Sequence, residues 1–126
     1  MNFPDNLKYT SEHEWLREEN NEAVIGITHF AQKELGDIVF IDIDTEGETL
    51  AAGEKFGAIE AVKTVSDLYM PVSGKIVSVN TALETAPETV NKDPYGEGWM
   101  IRVQITHPAE LDGLMTAADY EAFTNE

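Results

Sequence analysis

The chain contains no cysteine. That excludes disulfides, thiolate catalysis and cysteine-ligated zinc or iron–sulfur centres together, so any redox sulfur has to arrive on a cofactor. Positive charge is also scarce. Eight Lys and Arg stand against 24 Asp and Glu, a formal net charge of −16 at pH 7. Phosphate backbones and anionic membrane surfaces would repel such a polyanion, so neither nucleic acid nor membrane is expected as a partner. No apolar run approaches the roughly 20 residues of a membrane-spanning helix. The opening MNFPDNLKYTSEHEW has neither a basic start nor an apolar stretch of the kind a secretory signal needs. A soluble, cytoplasmic protein of bacterial type is the expectation, and a processed organellar protein given a new initiator Met fits the same sequence.

What is present indicates a packed, β-rich chain. Its 126 residues, 42% of them apolar, suit one domain spanning 1–126 with a real core. Glu12 to Arg17 and Glu22 to Ile27 read as a hairpin around the polar break Glu19-Asn20-Asn21. Thr28 offers an N-cap for a short helix to Leu35, with Gly36 suited to end it. The nearly continuous apolar run Ile38-Val39-Phe40-Ile41 predicts a central strand covered on both faces. Two further segments, Phe56 to Val62 and Val65 to Met70, meet at Val62-Lys63-Thr64 as a hairpin over about 56–71. A strand from Lys75 to Asn80 follows, then an ordered loop from Thr85 to Gly98 rich in Pro, Gly and Asn, and a strand from Trp99 to Ile105. Thr116, with Asp119 three residues on, resembles a capping box for a C-terminal helix over about 116–125. Frequent turns suggest an antiparallel β sandwich or flattened barrel.

Lys63 is the informative position. Alternation puts Ile59 and Ala61 on one side of their strand and Glu60 and Val62 on the other, which leaves the lysine at or near a hairpin tip. Such tips ordinarily use Asn, Asp or Gly to reach positive φ, and none sits beside Lys63. A bare lysine on an exposed turn is ordinarily a solvated charge. A Schiff-base role would need a desolvating pocket or a second cation, for which nothing in the sequence argues.

The string EAVKTVSDLYMPVSG, however, closely resembles the lipoyl-attachment motif of glycine cleavage H proteins. The resemblance continues through LKYTSEHEW, VIGIT, AQKELGDIVF, VNKDPYGEGWM and ELDGLM, in family order and over nearly the whole chain. Departures are mild: Ala61 stands where the family usually has Ser, His29-Phe30 where an acidic or polar residue and His are common, and Glu34 where some members have a cleft His.

The resemblance implies a lipoyl-domain-like fold and a carrier that does no catalysis itself. It implies lipoic acid held covalently as N6-lipoyllysine at Lys63, on an arm that supplies the sulfur this chain lacks. The arm would take the aminomethyl group of glycine from a pyridoxal-phosphate glycine decarboxylase. It would pass that group to a tetrahydrofolate-dependent aminomethyltransferase and be reoxidised by dihydrolipoamide dehydrogenase. A lipoyl ligase or octanoyltransferase would install it, and the carrier itself would be a monomer. The resemblance also places Glu14 near the arm, where a carboxylate could hold the cationic amine, with Asp67 as a second candidate.

His13 beside Glu14 invites a metal reading, but neighbours in a strand point to opposite faces and no further ligands cluster with them, so no metal site is expected. NKDPYGEGW, from Asn91 to Trp99, reads as a structural loop packed by Tyr95 and Trp99.

Rival readings remain open. A lipoyl domain of a 2-oxoacid dehydrogenase usually shows Asp-Lys-Ala at its tip, and a biotin carrier has Met beside its lysine; this chain has Val62 and Thr64 there. An unmodified β-rich interaction module is a third reading, and a relay passing lipoyl groups to other carriers a fourth. An independent enzyme lacks a nucleophile–base pair.

Overall fold

The computed structural model describes residues 2–125. Six strands form one antiparallel sheet: β1 (Lys8–Tyr9), β2 (Glu14–Glu19), β3 (Glu22–Ile27), β5 (Thr49–Leu50), β8 (Gly74–Val79) and β9 (Ile101–Ile105), in the order β1-β2-β3-β9-β8-β5. Three more form a second sheet: β4 (Ile38–Asp42), β6 (Lys55–Ala61) and β7 (Val65–Tyr69), in the order β4-β6-β7. The helices are α1 (His29–Leu35), the single turn α2 (Thr89–Lys92) and α3 (Ala117–Thr124). The two sheets are not closed into a barrel, and the architecture is that of a flattened sandwich.

Local chemistry explains the elements nearest Lys63. The β2–β3 hairpin turns at Asn20, which takes φ 61°, a conformation that a short polar side chain tolerates. The Thr28 hydroxyl caps α1 by accepting from the Ala31 N–H, and Gly36 ends it at φ 80°. Thr116 caps α3 in the same manner through the Asp119 N–H. The lysine hairpin turns without left-handed backbone: among the described non-glycine residues, positive φ is confined to His13 and Asn20.

The main core fills the space between the sheets with Leu16, Ile25, Ile59, Ile76, Met100 and Val103, all buried. A second cluster of Tyr9, Trp15, Val24 and Tyr120 lies on the other side of the large sheet, covered by α3. Strand β3 runs between β2 and β9 with both faces buried, which makes it the central strand.

That assignment corrects the reading of Ile38 to Ile41. β4 is an edge strand, and only Ile38 and Ile41 are buried. A register shift between Ile38 and Phe40 turns Val39 and Phe40 outward, so the apolar run reflects one buried and one exposed side rather than two covered faces. The short strands β1 and β5 and the 3-10 turns at Thr81–Glu84 and Pro108–Gly113 were not legible as elements.

The loop from Thr85 to Gly98 is ordered, as expected, but contains the helical turn α2, whose Asn91 joins three parts of the fold. Its side-chain oxygen accepts from the Ile38 N–H at 3.0 Å, and its NH₂ donates to the Gly36 carbonyl at 2.9 Å and to Gln32 Oε1 at 3.0 Å. The end of α1 and the start of β4 are thereby fixed together. Asn91→Ala would leave a backbone donor and acceptor without partners, and the expected cost is about 1–3 kcal/mol. Denaturant unfolding measures it; a variant as stable as wild type would show that solvent replaces these bonds.

Candidate functional site

The site begins at the tip of the β6–β7 hairpin. Ala61 and Thr64 close the turn through a 2.8 Å bond from the Ala61 N–H to the Thr64 carbonyl, which leaves Val62 and Lys63 projecting. The Val62 N–H donates to the Asp37 carbonyl at 3.0 Å, tying the tip to the residue just before β4. Lys63 is exposed, and its Cε lies 3.4 Å from the place where a Cβ on Gly36 would stand. The amine thus extends over the end of α1, on a platform made rigid by Asn91.

Beside this platform is a cleft of about 140 Å³ between α1, the β6–β7 hairpin and the start of β2. Its floor is apolar, with Ile27, Ala31, Leu35, Ile59 and Leu68, and its walls carry Glu12, His13, Glu14, Glu34 and Asp67. Such a lining suits an alkyl chain along its length and a cation at its polar end.

Glu14 is the buried acid of the cleft, only 2% exposed. Its Oε2 accepts from the Tyr69 N–H at 2.8 Å, and the Thr10 hydroxyl lies 3.4 Å from Oε1. Burial pushes its pKa up to about 8, against the stabilising bonds from Tyr69 and Thr10, and the charge of Glu12 adds to the rise. An approaching cation would supply the missing counter-charge and favour the ionised form.

Asp67 is exposed and already paired, 3.2 Å from Lys55 Nζ, with the Tyr69 hydroxyl at 3.4 Å. It lines the same cleft as Glu14, at its open side. The two acids singled out in the sequence are therefore brought together with the hairpin that presents Lys63, but they differ in kind: one is desolvated, the other screened.

Glu14 and His13, the latter just outside β2 at φ 66°, both line the cleft, but their side chains part: the Glu14 carboxyl meets the Tyr69 N–H, and the imidazole of His13 packs against Phe30, Tyr120 and Phe123. Its Nδ1 lies 2.8 Å from the Tyr120 hydroxyl, which in turn lies 2.8 Å from Thr28 Oγ1, the cap of α1. Burial holds the imidazole pKa below its usual value, with Glu12 and Glu34 pulling the other way. Among the described residues, no three His, Asp or Glu converge as a metal-ligand set. Sequence reasoning missed Thr10, the Tyr69 N–H, Tyr120 and Asn91. None has a local signature, since each reaches the site across the fold.

The raised Glu14 pKa has a stability consequence with a definite sign. Between about pH 4.5 and 8 the folded state holds a proton that the unfolded chain has released, so this group's contribution to stability is full below pH 4.5 and is lost as pH rises through 8. Glu14→Gln cannot titrate, and the difference in unfolding free energy between variant and wild type is expected to move in favour of the variant across that interval. Denaturant titrations at a series of pH values check this; parallel curves for the two proteins would show that Glu14 titrates normally.

Comparison with known proteins agrees with this architecture. The family model described as glycine cleavage H-protein matches residues 7–126. The glycine cleavage system H protein of Bacteroides fragilis is 61% identical over 125 residues, covering 99% of each chain. That of Symbiobacterium thermophilum is 56% identical, covering 99% of this chain and 98% of its own. The crystal structure of a glycine cleavage system H protein from Mycobacterium marinum superposes with a TM-score of 0.91 at 41% identity, covering 98% of this chain and all of that one. A match across nearly the full length, in sequence and in fold, shows that the chain belongs to the glycine cleavage H-protein family.

Proposed function

We propose that this chain is the lipoyl carrier of a glycine cleavage system, with the lipoyl group in amide linkage to Lys63 Nζ, and that residues 1–126 form a single carrier domain that performs no catalysis. The observation that carries the reading is the placement of Lys63: an exposed amine on a stiff hairpin tip, reaching over Gly36 beside an apolar cleft that ends in a buried acid. When attached, a lipoyl group supplies a dithiolane that accepts the aminomethyl carbon of glycine at the decarboxylase, yields it to tetrahydrofolate at the aminomethyltransferase and is reoxidised at dihydrolipoamide dehydrogenase.

The chain's own residues bind, orient and shelter. The hairpin holds the attachment point rigid, so that a tether of fixed length reaches each partner in turn at high effective concentration. Ile59, Leu35 and Leu68 offer the arm an apolar resting surface that excludes water. Glu14 becomes the counter-ion for a cationic amine at the end of the arm, giving up its proton as that charge arrives, and Asp67 adds negative potential at the open side. A lipoyl ligase or octanoyltransferase is the partner that installs the group. No helix of the described residues is long and apolar enough to cross a membrane. We place the protein, as a monomer, in the cytoplasm of a bacterium, in keeping with the bacterial sources of its relatives.

Incubated with a lipoyl ligase, lipoate and ATP, wild type should gain one lipoyl mass and Lys63→Arg none, although arginine keeps the charge and approximate length. Stability of the variant should change by no more than about 0.5 kcal/mol, since the position is exposed. Glycine decarboxylation and carbon dioxide exchange in the reconstituted system should disappear. Lipoylation of folded Lys63→Arg would refute the assignment of the acceptor. Normal lipoylation of wild type with no support of glycine cleavage would point instead to a relay of lipoyl groups.

A further inference from the structure

The hydrogen-bonded chain from His13 through Tyr120 to Thr28 joins three elements: His13 precedes β2, Thr28 caps α1, and Tyr120 comes from α3. The Tyr120 hydroxyl lies 2.8 Å from His13 Nδ1 and 2.8 Å from Thr28 Oγ1, and Oγ1 in turn accepts from the Ala31 N–H at 3.1 Å. Tyr120 and Thr28 are fully buried, and among the described residues neither hydroxyl has another partner. The phenol ring is fixed by stacking on Tyr9 at 4.8 Å and by an edge contact with Phe3 at 5.0 Å.

The number of protons fixes the direction of these bonds. Two gaps, one between Nδ1 and the phenol oxygen and one between that oxygen and Oγ1, take one proton each. The two hydroxyls supply both. Thr28 therefore donates to Tyr120, Tyr120 donates to His13, and Nδ1 is bare: the imidazole is neutral with its proton on Nε2. A charged His13 would bring a third proton to the same two gaps and leave one buried hydroxyl without an acceptor, an arrangement that proteins avoid. Tyr120 cannot relieve the excess by ionising, since burial pushes its pKa up to about 12. Among the described residues the titratable groups around the imidazole are Glu12 and Glu14 on its own segment, Glu34 on α1, Tyr120 on α3 and Asp67 across the cleft on β7. Glu12 and Glu34 favour the charged ring, but burial outweighs them.

Both ends of this chain belong to the arm cleft. His13 forms one wall, and α1 supplies Ala31, Glu34 and Leu35 to another. A backbone bond from the Thr28 N–H to the His13 carbonyl at 3.0 Å already joins the two walls. The hydroxyl chain adds α3 and fixes the imidazole. We propose that the Tyr120 hydroxyl is a positioning group for the arm cleft, a latch that clamps the C-terminal helix onto both walls while His13 is neutral and releases it when His13 gains a proton. An orphaned hydroxyl is relieved only if Tyr120 moves off and water enters, which loosens α3 and the cap of α1 together. The open form takes up the proton more readily than the latched one, so the contribution of the latch is complete at neutral pH and is lost as pH falls through the titration of His13. Its bearing on the arm rests on the carrier reading of Lys63; the latch itself is measured without an arm.

The test uses the full chain in its unlipoylated form, followed by NMR. At neutral pH the ring nitrogens of His13 should report a bare Nδ1 and a proton on Nε2. From about pH 7.5 to about pH 5, where histidines change charge, exchange protection of the Ala31 and Tyr120 amides should fall about fivefold or more once the intrinsic pH dependence of exchange is removed. His13→Asn keeps an acceptor near the place of Nδ1, tolerates the φ of 66° and cannot gain a proton, so its protection should stay level over that range. Tyr120→Phe keeps the ring and loses the hydroxyl. Its protection should be low and level, and the titration of His13 should move upward, because a donor to the neutral ring has gone.

A proton on Nδ1 at neutral pH would overturn the proposal, as would level protection in wild type. An equal loss of protection in His13→Asn would also overturn it, by assigning the acid response to the carboxylates of the cleft. None of these results touches the acceptor lysine. The carrier reading fails by a different result, the absence of lipoyl mass on Lys63 of wild type.

Discussion

The arrangement around Lys63 depends on a single amide side chain 28 residues away in sequence. Asn91 joins the Gly36 carbonyl at the end of α1 to the Ile38 N–H at the start of β4. The Val62 N–H then bonds to the carbonyl of Asp37, between those two points. Hairpin tip, helix end and edge strand are thus held by bonds that share one short stretch of backbone. Side-chain amides suit this position because one group donates and accepts at once.

The cleft has a different origin. Its apolar floor belongs to the core between the sheets, and Glu14 enters that core from the first residue of β2. Desolvation pushes the pKa of a carboxyl placed there up to about 8, with Tyr69 and Thr10 offsetting only part of the rise. A buried acid without a cation destabilises the fold as pH rises, and such a residue has a physical rationale when its counter-charge comes from a visiting group. The His13–Tyr120–Thr28 chain ties the cleft to the C-terminal helix, since the hydroxyl of Tyr120 bridges a cleft residue and the cap of α1.

The alternation of the β6–β7 hairpin gives it two faces of different character. Side chains at Ile59 and Leu68 are buried against the cleft, while Glu60 and Val65 face outward. The exposed Phe40 extends that outer face onto β4, where an edge strand would otherwise present only backbone.

Much of this was readable from the order of residues. The caps at Thr28 and Thr116, the Asn20 turn, the lysine at the hairpin tip and the likeness to glycine cleavage H proteins all rest on local patterns, and local patterns suffice because caps, turns and strand alternation are set by neighbours within a few residues. The order of strands was not readable in this way. Ile38 to Ile41 carries the composition of a central strand and lies at an edge, because a register shift against β6, invisible in β4 itself, decides which of its side chains meet the core. Glu14 and Asp67 stood out in the sequence as two acids of one kind, but only tertiary burial made one a desolvated carboxyl and the other a paired surface charge. The sequence by itself determined which lysine stands at the tip and which elements lead to it. The tertiary structure decided what surrounds that lysine, because desolvation and cross-strand contact arise from residues that meet only when the chain is folded.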